Sequence, residues 1–136
     1  VPEHFEIATE TEMRQLGASL KDRLVPGDIV LLYGELGAGK TTLVRGFLES
    51  LGHTDPVRSP TFNLLQVFDT TPPVLHADLY RVTTHVGLGI EDYLETHITF
   101  IEWPDRAVGL SEIPIRIEIE FSPGGRTVLS SGLQKR

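Results

Sequence analysis

The stretch "GELGAGKTT", residues 34–42, decides how this chain is read. Gly34, Gly39, Lys40 and Thr41 fit the pattern G-x-x-x-x-G-K-[ST], and Gly37 adds a further glycine inside it. A loop that wraps its backbone amides around phosphates needs conformations and close approaches that side chains obstruct. Lys40 reaches the β and γ groups, and the Thr41 hydroxyl holds Mg2+. The neighbouring residues match what that chemistry requires. Residues 29–33 are a short apolar run, as in a strand buried on both faces. "TTLVRGFLESLG" then reads as a helix ended by Gly52. The positive end of that helix points at the same anion. A glycine-rich turn matching by chance would not sit between a buried strand and a helix start, so the loop predicts binding of a nucleoside triphosphate.

The remaining elements are read outward from this loop. Residues 5–9 suggest a first strand, and Thr9 with Glu12 has capping-box spacing. Met13, Leu16, Leu20 and Leu24 follow at helical spacing, and "VPGD" (25–28) closes that helix. Residues 61–68 and 74–80 read as strands joined by "DTTPP", residues 91–97 as a short helix, and residues 98–103 as another strand. "IPIRIEIEF" (113–121) alternates apolar and polar residues, giving a strand with one wet face. Gly124-Gly125 turns it into "RTVLSS". The expected fold class is α/β: a P-loop NTPase-like mixed β-sheet with flanking helices and a C-terminal antiparallel hairpin. Residues 1–136 make a single domain, with a frayed tail from 131 to 136.

Composition narrows the setting. Twelve Lys and Arg stand against nineteen Asp and Glu, for a formal charge of -7. Only three lysines occur, Lys21, Lys40 and Lys135, and no basic cluster appears. Binding to nucleic acid draws on cationic contacts to phosphates, so this chain is a poor RNA or DNA binder by itself. It contains no cysteine, which excludes disulfides and thiolate metal sites. No apolar run is long enough for a membrane helix, and "VPEHFEIATE" lacks a signal-peptide pattern. The expected location is the cytoplasm.

Hydrolysis of a bound triphosphate needs a carboxylate on Mg2+ and a group that orients water. Asp78, in "VLHADLYR", and Glu102, in "ITFIEW", each follow an apolar run. Open α/β sheets bind ligands at the carboxyl ends of their strands, where both residues converge beside the loop. "RSPTF" (58–62) occupies the place of a segment that covers the γ-phosphate, and Thr61 offers it a hydroxyl. Trp103, the only tryptophan, follows Glu102 directly. His76 lies two residues before Asp78, but a lone histidine lacks a metal-binding framework, and none of the five histidines receives a role. There is no N-K-x-D to specify guanine. The arginines are scattered, with no arginine-rich insert of the kind that closes over small-molecule kinase sites.

"GELGAGKTT", "VRSPTF", "HADLYR" and "IEWP", in this order and spacing, resemble the bacterial ATPase family known as TsaE or YjeE. The resemblance spans nearly the whole chain. It implies a Mg2+-dependent ATPase, slow alone and stimulated by partners, required for N6-threonylcarbamoyladenosine at position 37 of tRNAs reading A-starting codons. Its partners are a heterodimer of the tRNA threonylcarbamoyl transferase and a related subunit. ATP use resets that complex, and tRNA is met indirectly through it. By position, the resemblance implies that Gly37, Ala38, Gly39, Lys40, Thr41 and Thr42 wrap the phosphates, with Lys40 on their charge, Thr41 and Glu102 on Mg2+, Thr61 as the switch hydroxyl and Trp103 flanking the site. Asp78 either orients water or supports Mg2+. Glu10 and Arg126 border the nucleotide. The stretch 83–95, "TTHVGLGIEDYLE", departs from the acidic helical segment expected there, which affects the partner-facing surface. Two other classes remain: a stand-alone P-loop kinase of a small metabolite, and a nucleotide-binding interaction protein without hydrolysis.

Overall fold

The structure, a computed structural model, describes residues 2–55, 65–80, 87–106, 110 and 113–134. Seven strands form one mixed sheet: β1 (Glu3–Ile7), β2 (Ile29–Tyr33), β3 (Leu65–Phe68), β4 (Val74–Asp78), β5 (Ile98–Glu102), β6 (Ile115–Ser122) and β7 (Gly125–Ser131). Their order across the sheet is β1-β7-β6-β2-β5-β4-β3. The central strands β6, β2, β5 and β4 run parallel, while β3 at one edge and β7 and β1 at the other pair antiparallel. This is the mixed α/β architecture expected, including the late hairpin of β6 and β7.

Two helices, α1 (Glu10–Ser19) and α2 (Lys40–Ser50), cover one face. Thr9 caps α1 as its spacing with Glu12 predicts, its hydroxyl accepting from the Glu12 amide at 3.1 Å. Met13, Leu20 and Leu24 are buried and Leu16 is half-buried, so the apolar stripe does face inward. The helices cross closely because Gly17 and Gly46 lie at the contact. A Cβ at Gly17 would fall 2.0 Å from the Leu43 carbonyl oxygen, and one at Gly46 the same 2.0 Å from that of Arg14.

Strand alternation divides the apolar side chains between two cores. Val30, Leu32, Val74, Ile98 and Phe100 pack with Leu43, Val44 and Phe47 beneath the helices. Ile29, Leu75, Ala77 and Ile101 pack on the other face with Leu79 and Ile90. The central apolar strands are buried on both sides, whereas β6 buries Ile115, Ile117 and Ile119 and turns Arg116 outward.

Several boundaries differ from the sequence reading. The first strand ends at Ile7, because Ala8 and Thr9 lead into the cap of α1. The helix expected over 91–97 is a short 3-10 turn, Ile90–Asp92, entered through Gly89 in a left-handed conformation. The strand expected to reach Trp103 ends at Glu102, since Trp103 takes φ +59°, which leaves the extended region. The expected loose end is shortened too: Ser131 closes β7, Leu133 packs on the helical core and Arg23 donates to the Gln134 carbonyl at 3.1 Å. Residues 61–64 and 83–86, parts of an expected strand and of the divergent stretch, lie outside the described residues.

Candidate functional site

The quoted loop runs from the end of β2 to the start of α2, at the carboxyl edge of the parallel strands. Gly37 and Gly39 hold φ +80° and +116°, left-handed conformations that an L side chain resists. Gly39 also caps α2 without a side chain, leaving the first amides of the helix directed into the loop. Lys40 is only 4% exposed. Its Nζ donates to the Gly34 carbonyl at 2.6 Å, lies 4.5 Å from the Trp103 ring centre and is 3.9 Å from Glu102 Oε1. Burial holds the ammonium below the usual lysine range, and the Glu102 and Asp78 carboxylates oppose that shift.

The parallel register of β4 on β5 sets Asp78 beside Glu102. Both are buried. The Thr41 hydroxyl lies 3.4 Å from Glu102 Oε2, joining the start of α2 to the end of β5. Asp78 Oδ1 accepts the Tyr80 amide at 3.0 Å, bending the chain away from β4. Tyr80 in turn meets Trp103 edge-on, with ring centres 4.7 Å apart. The structure therefore brings Lys40, Thr41, Asp78, Glu102 and Trp103 together.

Glu10 and Arg126 lie on the other side of the loop. A cavity of about 280 Å3 there is lined by Thr9, Glu10, Met13, Gly37–Gly39, Thr42 and Arg126, among others. Glu10 also pairs with Arg45 at 3.2 Å. Arg126 reaches from β7 to the outside of the loop, its Nε donating to the Ala38 carbonyl at 3.1 Å and Nη2 to that of Gly37 at 3.4 Å. Its guanidinium lies 4.3 Å from the Phe121 ring centre. Thr61 lies outside the described residues.

One residue given no role in the sequence belongs to this cluster. His76 is fully buried, and its Nε2 is 2.6 Å from Glu102 Oε2. The signal was its spacing: residues i and i+2 of a strand share a face, so His76 faces the same side as Asp78.

These donors suit a magnesium nucleotide. Mg2+ takes one or two protein oxygens and fills its octahedron with water and phosphate oxygens, so a hydroxyl and a carboxylate suffice. Among the described residues no group of three or more His, Asp or Glu is gathered as an all-protein metal cage.

Comparison with known proteins gives the family. The family model for "Threonylcarbamoyl adenosine biosynthesis protein TsaE" matches residues 7–128. The chain belongs to the TsaE family. A TsaE relative from Streptomyces coelicolor, described as a tRNA threonylcarbamoyladenosine biosynthesis protein, is 38% identical over 91% of this chain and 93% of its own. A TsaE protein of the same description from Haemophilus influenzae is 40% identical over 74% of this chain and 67% of its own. The crystal structure of YdiB from Bacillus subtilis superposes with a TM-score of 0.83 and 25% identity, covering 98% of this chain and 87% of that one. The fold is thus the P-loop fold of a TsaE protein.

Proposed function

We propose that this TsaE-family chain binds and hydrolyses Mg-ATP as a subunit of the machinery that forms N6-threonylcarbamoyladenosine at position 37 of tRNAs reading A-starting codons. The observation that carries the reading is the meeting of Lys40, Thr41 and Glu102 at the carboxyl edge of the sheet. Family membership supplies the tRNA context.

Each residue has a task in this account. The amides of residues 37–42 and the start of α2 bind the phosphates, and Lys40 neutralises their charge. Thr41 and Glu102 hold Mg2+, which when bound spreads the charge that develops on the phosphate oxygens. Asp78, beside Glu102, orients the attacking water or supports the Mg2+ shell. The Trp103 ring lies against the Lys40 ammonium and flanks the site. Thr61 senses the γ-phosphate. Glu10 and Arg126 border the nucleoside end.

The chain performs no carbamoyl transfer in this account. It acts on a heterodimer of the transferase and its related subunit, in the cytoplasm, and its ATP use resets that pair between rounds. A net charge of -7 agrees with leaving the tRNA to the partners. Reconstituted modification of tRNA tests this. Repeated rounds should require this chain with ATP, and Lys40→Ala should stop them after the first. Full turnover by the two partners without this chain would overturn the proposal.

A further inference from the structure

We infer that His76 is a positioning residue for Glu102, fixing the carboxylate so that it meets Mg2+ and Thr41 in one orientation. The inference rests on the Mg-ATP reading above and extends it to a side chain outside the loop.

A glutamate at a strand end has three side-chain torsions, and its carboxylate needs a partner to be held in one place. Here His76 Nε2 lies 2.6 Å from Oε2, a close hydrogen-bond contact. An ionised carboxylate only accepts, so the bond requires the proton on Nε2. His76 has no exposed surface, and β4 fixes its backbone directly opposite Phe100 of β5. The imidazole is therefore a rigid donor on a central strand. Its Nδ1 is buried with no hydrogen-bond partner among the described residues. Among the described residues the ring's polar contact is with Glu102.

The consequence for the carboxylate is specific. Oε2 is shared between His76 and the Thr41 hydroxyl, while Oε1 faces Lys40. Both oxygens thereby face the start of α2, and His76 holds the one that also meets Thr41. Partners behind a metal-ligating side chain commonly matter by about ten- to a hundredfold in metal affinity or activity.

Equilibrium ATP binding across a Mg2+ titration, and again with a chelator, tests the inference on the full chain, H76L, H76Q and E102A. H76L should raise the Mg2+ concentration at the midpoint by about tenfold or more. Its ATP affinity with chelator should match the parent, because the loop and Lys40 are untouched. H76Q, whose amide can donate from a similar place, should recover most of the shift. An H76L midpoint equal to the parent's, with E102A shifted, would overturn the inference. So would an equal loss of ATP affinity with and without Mg2+, the mark of a merely structural role. Failure of the parent chain to bind Mg-ATP at all would instead overturn the reading on which the inference rests. Should H76L not fold, the imidazole nitrogen resonances of His76 decide. A protonated, hydrogen-bonded Nε2 that changes in E102Q supports the inference, and resonances indifferent to that change overturn it.

Discussion

Asp78 and Glu102 are register partners, the last residues of two neighbouring parallel strands, standing side by side at the carboxyl edge of the sheet. The chain closes behind them with the Leu79 amide donating to the Glu102 carbonyl at 3.1 Å. Glu102 faces Thr41 and Lys40, whereas Asp78 is engaged by the Tyr80 amide. Two adjacent carboxylates thus have different surroundings, which predicts separable effects. Glu102→Ala should abolish Mg2+-dependent turnover while leaving ATP binding in chelator intact. Asp78→Asn should lower kcat by about a hundredfold, as for loss of a water-orienting group, with little change in the Mg2+ midpoint. Steady-state kinetics over a Mg2+ series separates the two, and a large midpoint shift in Asp78→Asn would place Asp78 in the Mg2+ shell instead.

Arg126 links the late hairpin to the phosphate loop by donating to the carbonyls of Ala38 and Gly37. Those bonds hold the loop from outside, away from Lys40. Arg126→Met keeps an apolar side chain of similar reach but removes both donors and the guanidinium that lies over the Phe121 ring. Hydrogen bonds to a charged donor contribute about 1.5–3 kcal/mol, so ATP affinity should fall by about ten- to a hundredfold. Calorimetric titration measures this, and an unchanged affinity would show that the loop keeps its shape unaided.

The helix crossing offers a prediction on stability. With a Cβ only 2.0 Å from a backbone oxygen, Gly17→Ala or Gly46→Ala must push α1 away from α2. Overpacking of this kind costs about 1–3 kcal/mol, readable as a lower denaturant midpoint. Because α2 begins with Lys40 and Thr41, the same variants should weaken ATP binding.

Much of this was legible in the sequence because its causes are local. The glycines of residues 34–42 declare the loop, the Thr9 and Glu12 spacing declares the helix start, and the alternation of residues 113–121 declares a half-exposed strand. Asp78 and Glu102 stand out in the sequence because each follows an apolar run. What stayed hidden depends on strand pairing between distant residues. The contact of His76 with Glu102 crosses 26 positions and exists only because β4 lies on β5 in one register. The grip of Arg126 on the loop likewise needs the β6–β7 hairpin to lie beside β2, a pairing of distant strands that no local pattern specifies. The helix expected over 91–97 gives way to a run of tight turns entered through Gly89, in which the amides of Tyr93, Leu94 and Thr96 donate to carbonyls three residues back.

The measurement that tests the central claim most directly is phosphate release from Mg-ATP, by this chain alone and after addition of the transferase and its related subunit. The account predicts slow release alone, a strong rise with both partners, and none from Lys40→Ala or Glu102→Ala under either condition. Release that ignored the partners and rose instead with a small-molecule acceptor would contradict it, as would unchanged release from either variant.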